Sequence, residues 1–420
     1  MIDKNLFLYD LAVVAIFKDE APYLKEWLDY HLLAGVEHFY LYNNDSSDDY
    51  KEVLAPYVEK NLVTLTDFSG KMMQYLAYND AIENYRFECR YMAFIDLDEF
   101  IFPKTNQKIS EVLDEILSVD SNAAGLGINW QCFGSNGQEK ADFSRGVLER
   151  FTRRAPSDFA PIGKNGLKEG NIHIKTIANP RLVRYIFHPH FAYYFNENFA
   201  VNSDGKHVNL WNNEPILVDK IVINHYYCKS LEEFSVKVER GSACRRINPK
   251  SMELFYSNDH NEIFDDGILK YRAARAKNFS FENDSQRVNR VISSVFNVLT
   301  ERSLLDAPEE FFVGKLETFL TCRAVAEKFQ IKIYNKSAEE LALVWIYRTL
   351  TAPMTLLEIR QLIKALPKIL SRPFPVCEKV KQYVQNNILP GFDKILRSDV
   401  NNCIEHYEIY YLQELLRLIK

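Results

Sequence analysis

Hydrophobic positions along the chain follow two alternating rhythms. Short unbroken apolar runs, such as Val13-Val14-Ala15-Ile16-Phe17 and Tyr91-Met92-Ala93-Phe94-Ile95, are separated by stretches with apolar residues at every third or fourth position. The first rhythm predicts strands buried on both faces, the second amphipathic helices. Strands are expected over residues 13–17, 38–42 and 62–68, in a central strand ending at Asp96, and over 125–130. Helices are expected over 18–33, with Leu24, Trp27, Leu28 and Leu32 on one face, over 50–57 and 74–88, and around 112–117. Such alternation predicts βαβ units, hence an α/β fold with a mostly parallel sheet.

Beyond about residue 150 the pattern loosens. A Gly/Lys-rich loop at 163–170 precedes expected strands at 183–194 and 221–227, with a turn at Asn212-Asn213-Glu214-Pro215 between them. From about residue 266 the pattern is helical, as at 288–299, 308–328, 338–350 and 406–419. This places a boundary near residue 275, between an α/β domain (1–275) and a helical C-terminal domain (276–420) to which no role is assigned.

Composition adds bounds. A chain of 420 residues, 47% apolar and 26% charged, with 28 Phe and 24 Tyr, can build a large core and two or three domains. A net charge of −6 gives no global bias toward nucleic acid, and no nucleic-acid partner is expected. The seven cysteines are dispersed, with no C-x-x-C pair, which favours free thiols in a reducing compartment. The start lacks a signal-peptide pattern and no apolar run reaches membrane-spanning length, so a cytoplasmic, most simply bacterial, protein is expected.

Five constellations carry candidate chemistry. Asp96-Leu97-Asp98 ends the central strand, where residues two apart would share a face. Two hard carboxylates at the C-terminal edge of a parallel sheet suit Mg²⁺ or Mn²⁺ carrying a phosphorylated substrate. The bland alternative is a solvated acidic loop. Lys18-Asp19-Glu20 and Asn43-Asn44-Asp45-Ser46-Ser47-Asp48 end the first and second strands at the same edge. Their acids and amides suit a nucleobase edge or ribose hydroxyls, and equally helix capping by Asp19, Ser47 or Asp48. His225 follows a β-branched strand and precedes a helix that Ser230 can cap, with Glu233 at capping-box spacing. His225 suits a metal or a diphosphate; Lys237 and Arg240, three apart, would share a helix face and neutralise phosphate, or form a solvated basic face. His188-Pro189-His190 invites a binding or proton-transfer role for His190, or a structural one.

Several of these blocks, in order, resemble glycosyltransferase family 92 and related family 2-like proteins. They are the segment from Val14 to Trp27, His31-Leu32-Leu33-Ala34-Gly35-Val36 continuing into Phe39-Tyr40-Leu41-Tyr42-Asn43-Asn44, and the FIDLDEF block from Phe94 to Phe100. Asn129-Trp130-Gln131-Cys132-Phe133-Gly134-Ser135, then Lys175, Pro180, Val183 and His190, and last His225-Tyr226 with Lys229-Ser230, Glu233-Phe234, Lys237 and Arg240-Gly241 complete the likeness, over roughly residues 10–270. Asp19 stands where the family often has Asn, and Gln138 where it often has His.

The resemblance implies a GT-A fold and a UDP-sugar donor, with Mn²⁺ or Mg²⁺ held by Asp96, Asp98 and His225. It implies a donor site comprising Lys18, Glu20, Asn44, Asp45, Asp96, Lys229, Lys237 and Arg240. The expected reaction is transfer of a hexose to a glycan or lipid-linked glycan hydroxyl, with inversion, in bacterial surface polysaccharide or lipopolysaccharide synthesis. Asp98, Glu233 and His190 are the catalytic candidates, with Glu232 a further candidate base. Lys364, Lys368, Arg372 and Lys379 offer a basic surface for peripheral contact with the inner face of the plasma membrane, or simply an ordinary helical domain. Two other readings stand beside this one. One is a haloacid-dehalogenase-like phosphatase, disfavoured by Phe100 and by the three strands preceding the D-x-D; the other is a non-catalytic glycan- or nucleotide-binding module.

Overall fold

The computed structural model describes residues 4–300, apart from 164–165, 196, 242–250, 278 and 281, together with Lys328. The expected helices at 308–328, 338–350 and 406–419, and the basic surface around 362–380, lie outside the described residues. The chain divides into two compact units, the first spanning Tyr9–Asp284 and the second Ile2–Leu8 with Ser285–Lys420.

The first half of the first unit alternates as the pattern predicts: β1 (Tyr9–Phe17), α1 (Ala21–Leu33), β2 (His38–Asn43), α2 (Tyr50–Glu59), β3 (Val63–Asp67), α3 (Gln74–Tyr85), β4 (Cys89–Phe94), β5 (Glu99–Pro103), α4 (Ile109–Leu117) and β6 (Ala123–Cys132). Short elements follow: α5 (Val147–Arg150), β7 (Arg153–Arg154), β8 (Ile174–Ala178), β9 (Val183–His188), β10 (Phe191–Tyr194), β11 (Phe199–Val201) and β12 (His207–Val208). Then come β13 (Ile221–His225), α6 (Leu231–Arg240), α7 (Met252–Asn258), β14 (Ile263–Phe264), α8 (Gly267–Ala276) and α9 (Asp284–Thr300).

The main sheet runs β12-β11-β6-β8-β4-β1-β2-β3, with β13 joining β6 to β5. Strands β3, β2, β1 and β4 are mutually parallel, and β8 enters antiparallel between β4 and β6. β1 is covered on both faces, which is why its sequence is apolar without a break. Leu11, Val13, Ala15 and Phe17 share one core with Leu24, Trp27 and Leu28 of α1. α1 is also pinned by polar bonds: Trp27 Nε1 donates to the Glu99 carbonyl and the Tyr30 hydroxyl to the Ile101 carbonyl, each at 2.8 Å.

The order β3-β2-β1-β4 has a functional consequence. The chain winds outward from β1 to β3, then returns to place β4 on the other side of β1. Such a reversal opens a crevice beyond the carboxyl ends of the two strands, where doubly wound sheets bind ligands. Here those ends deliver Lys18-Asp19-Glu20 and Asp96-Leu97-Asp98.

Candidate active site

Asp96 and Asp98 occupy the turn between β4 and β5, closed by the Glu99 N–H on the Asp96 carbonyl at 3.1 Å. The expected strand alternation therefore does not apply, and the two carboxylates take different partners. Asp96 Oδ1 accepts from Gln74 Nε2 at 2.7 Å, and its Oδ2 from Lys175 Nζ at 2.8 Å. Asp98 Oδ2 accepts from Lys237 Nζ at 2.6 Å, while His225 Nε2 lies 3.7 Å from its Oδ1. The turn is braced by strand pairing, since His225 is registered opposite Glu99 and the Tyr226 N–H donates to the Asp98 carbonyl at 2.8 Å.

Burial and charge push Asp98 and Glu99 in opposite directions. Burial opposes ionisation of Asp98, but Lys237, His225 and Lys229 outweigh it and hold its carboxyl well below the ordinary carboxylate range. Glu99, wholly buried, goes the other way: burial raises it, Lys175 only partly offsets this, and the charges on Asp96 and Asp98 raise it further. Glu99 is thus biased toward its protonated form, and its Oε2 accepts the Asp96 N–H at 2.9 Å. Lys175, also wholly buried, is held charged by Asp96 and Glu99 against the cost of burial. Neither Glu99 nor Lys175 was among the expected site residues. Each left a signal, an acid directly after the D-x-D and a lysine inside the apolar strand Ile174-Lys175-Thr176-Ile177-Ala178.

Lys229, Lys237 and Arg240 gather on the same corner. α6 starts at the reciprocal cap expected from the sequence, with Ser230 Oγ accepting from the Glu233 N–H and Glu233 Oε2 from the Ser230 N–H. Lys237 and Arg240 follow on that helix. Arg240 Nη1 donates to the Lys18 carbonyl at 2.8 Å and pairs with Glu20 Oε1 at 2.5 Å. Lys229 Nζ sits 3.3 Å from the centre of the Tyr23 ring and 3.8 Å from Glu20 Oε2. Lys175, Lys229, Lys237 and Arg240 thus gather around the carboxyl groups of Glu20, Asp96 and Asp98, a cluster of basic side chains at the mouth of the crevice that suits an anionic ligand. The backbones of Asp19, Asp45 and Lys229 are left-handed, with φ of 49°, 59° and 52°. Backbone strain of this kind gathers at ligand sites.

On the β1–β2 side, the polar residues mostly bind one another. Asp19 Oδ1 accepts from the Ser47 N–H at 2.7 Å, and Asp48 crosses to cap α1 at the Ala21 N–H, also at 2.7 Å. Asn44 Nδ2 donates to the carbonyls of Phe68 and Gly70, while the exposed Asp45 accepts from the Gly70 N–H. Lys18, Glu20, Asn44 and Asp45 therefore rim one end of the crevice.

Two expected catalytic residues stand apart from Asp98. Glu233 is buried in a two-pronged pair with Arg150 at 2.8 and 2.9 Å, and also accepts from the Tyr23 hydroxyl and Ser230 Oγ. Burial would raise its carboxyl, but bonds from Arg150 and Ser230 and the Arg150 charge bring it down to about 2. Glu232 is tied to the Ala141 N–H. His190 lies on the β8 side, its ring 4.9 Å from Trp130, which in turn packs 4.2 Å from His225. His190 Nδ1 bonds the Ile174 carbonyl at 2.8 Å; a carbonyl only accepts, so Nδ1 carries the proton and Nε2 keeps its lone pair.

Among the described residues no three His, Cys, Asp or Glu side chains form a metal cage. Asp98 and His225 nevertheless fit a substrate-bridging cation. The pair lies 3.7 Å apart, beyond hydrogen-bond reach, and an imidazole nitrogen beside a carboxylate oxygen is a donor set that would hold such an ion once drawn a little closer. Mg²⁺-type ions in phosphate sites take one or two protein ligands and complete their shell with water and substrate oxygens. A separate cavity of about 430 Å³, lined by Tyr23, Glu26, Phe143, Arg150 and Arg272 among others, is not reached by the D-x-D residues.

Comparisons with known proteins bear on this geometry. A glycosyltransferase family 92 protein of Oryza sativa subsp. japonica is 26% identical over 233 residues, covering 54% of this chain and 35% of its own length. Galactan beta-1,4-galactosyltransferase GALS1 of Arabidopsis thaliana is 24% identical over 250 residues, 52% of this chain and 49% of that protein. The chain thus spans between a third and a half of these relatives. The S. aureus TarS 1–349 structure in complex with UDP aligns with 14% identity over 81% of this chain and 87% of its own, at a TM-score of 0.30. The glycosyltransferase family 92 model matches residues 13–285, from the start of the apolar part of β1 to the first turn of α9, and so takes in every side chain of the crevice. On that match the chain belongs to glycosyltransferase family 92.

Proposed function

We propose that the protein transfers a hexose from a UDP-sugar to a glycan hydroxyl, with inversion and with a divalent cation at Asp98 and His225. The observation that carries this reading is Asp98 at the switch between β1 and β4, deprotonated, with Lys237 on one oxygen and His225 facing the other. The nucleoside would lie toward Lys18, Glu20, Asn44 and Asp45, and the diphosphate over Asp98, Lys229, Lys237 and Arg240. The relatives named as galactosyltransferases make galactose the first sugar to test.

The reaction forms a bond between the acceptor oxygen and the anomeric carbon and breaks the bond from that carbon to the diphosphate, whose oxygen keeps the electron pair. A cation held by Asp98 and His225, with Asp96 at hand, would supply Lewis-acid stabilisation of the leaving diphosphate. Lys237 adds positive charge at the same place, with Lys229, whose pKa burial lowers, beside it, and Arg240 holds the Lys18–Glu20 loop while contributing its own. The acceptor proton must pass to a base. Glu233 is committed to Arg150, whereas His190 has its tautomer fixed with Nε2 bare. Burial, Lys175, His173 and His188 hold its pKa well below the usual histidine value, so it stays in the proton-accepting form at neutral pH. Placement in bacterial surface-glycan synthesis at the inner face of the membrane, and Mn²⁺ or Mg²⁺ as the ion, belong to the same proposal. A panel of UDP-hexoses with oligosaccharide acceptors, read by UDP release and product mass, tests it. A hexose added from one UDP-sugar supports the proposal; phosphate release without sugar transfer points to the phosphatase alternative.

A further inference from the structure

Four half-buried rings and the buried ring of His225 form a continuous path that ends at Asp98. Trp211 stacks on His188 at 5.0 Å, His188 lies 5.1 Å from His190, His190 4.9 Å from Trp130, and Trp130 4.2 Å from His225. His173 flanks the path, 5.0 Å from Trp130 and 5.4 Å from His190. The rings come from β6, the segment before β8, the β9–β10 hairpin and the chain after β12. Backbone bonds hold these segments together: Trp130 N–H to the His173 carbonyl and Ile174 N–H to the Trp211 carbonyl.

We infer that Trp130, His173, His188, His190 and Trp211 form an acceptor subsite that binds a neutral oligosaccharide by stacking on the apolar faces of its sugar rings. Three observations carry this. First, the path lies on the β6–β8 side of the D-x-D turn, across Asp98 from the β1–β2 rim assigned to the nucleoside. Second, its four steps outlast a single ring, which suits an extended glycan more than one nucleobase. Third, the platform's rings are indoles and imidazoles, with no carboxylate or amine among them. Burial lowers the pKa of His173 and His190, and the cation beneath them, Lys175, is wholly buried against Asp96. Aromatic faces with little charge select the C–H faces of neutral pyranoses over anionic sugars. The inference rests on the transferase reading and names the substrate class for it.

The test is calorimetry and saturation-transfer NMR on the full chain holding UDP and Mn²⁺, with β-1,4-galactotetraose, cellotetraose and tetragalacturonate as probes. A neutral tetraose is expected to bind. Trp211→Ala and His188→Ala should each weaken that binding about tenfold, as loss of one stacked ring implies, and Trp211→Phe should restore most of it. UDP affinity, measured on the same samples, should stay unchanged and reports folding. Equal tetraose affinity in the alanine variants overturns the subsite, as does a preference for tetragalacturonate. So does the failure of every neutral tetraose to bind a wild type that binds UDP. A wild type that fails to bind UDP instead refutes the transferase reading on which the subsite rests.

Discussion

Glu233 separates a structural from a catalytic account of α6. The sequence places it among the catalytic candidates; the structure gives both its oxygens to Arg150 in a buried pair whose side chains are each 2% exposed. Glu233→Ala removes the partner of a buried guanidinium, which costs about 3–5 kcal/mol. Linkage gives an independent figure. The folded carboxyl sits at about 2 against an ordinary 4.5, and each unit corresponds to about 1.4 kcal/mol, hence about 3 kcal/mol. Because the folded value is depressed, this stabilisation is complete above pH 4.5 and is lost as pH falls toward 2. At pH 7, Glu233→Ala should lower the Tm by at least about 6 °C. Replacing the pair together, as Arg150→Met with Glu233→Met, should recover most of that loss, since no buried charge is left alone. The assay is thermal unfolding of both variants at pH 7 and of the wild type from pH 7 to 3, with kcat measured well below the Tm. A Glu233→Ala variant with unchanged Tm and a kcat reduced about a thousandfold would refute the reasoning and restore Glu233 as a base.

Other outcomes follow from the same contacts. Asp98→Asn should lower kcat/KM about 10²–10³-fold in UDP-release assays run well below the Tm, and should also lower the Tm, because it leaves the buried Lys237 without its counter-charge. His190→Gln should lower kcat by about 10²-fold or more while leaving UDP affinity intact, and the wild-type rate should show no acid limb between pH 6 and 8. Glu99 has a raised carboxyl, so its contribution to stability is present at low pH and declines as pH rises toward its folded value. Glu99→Gln should therefore flatten the fall in denaturant stability that begins as pH rises above the ordinary carboxyl value of 4.5. Lys175→Met, which removes the cation from Asp96 but leaves that partly exposed carboxyl its Gln74 bond, should cost about 1–3 kcal/mol in the same denaturant assay.

Much of this fold was legible because its signals are local. The unbroken apolar runs give β1, β2 and β4, and the periodic stretches give α1 to α4. Errors fell where a longer-range contact decides. The helix expected from residue 18 begins at Ala21, because the Lys18–Glu20 backbone is spent on Arg240 and on the left-handed Asp19. The strand expected over 183–194 is a hairpin, broken at Pro189 into β9 and β10. β5 was hidden inside the apolar block that follows the D-x-D, and it is defined by β13, more than a hundred residues later. The site shows the same division. The acids and the α6 cations are visible as motifs, whereas the raised carboxyl of Glu99, the Lys175 pair and the ring path depend on contacts between distant segments.

The central claim is that Asp98 anchors a nucleoside diphosphate through a cation. Calorimetric titration of UDP with and without Mn²⁺, on wild type and Asp98→Ala, tests it most directly. The account predicts Mn²⁺-dependent UDP binding to the wild type that is lost in the variant. Binding of equal strength in both, or no UDP binding by a folded wild type with Mn²⁺ present, would contradict it.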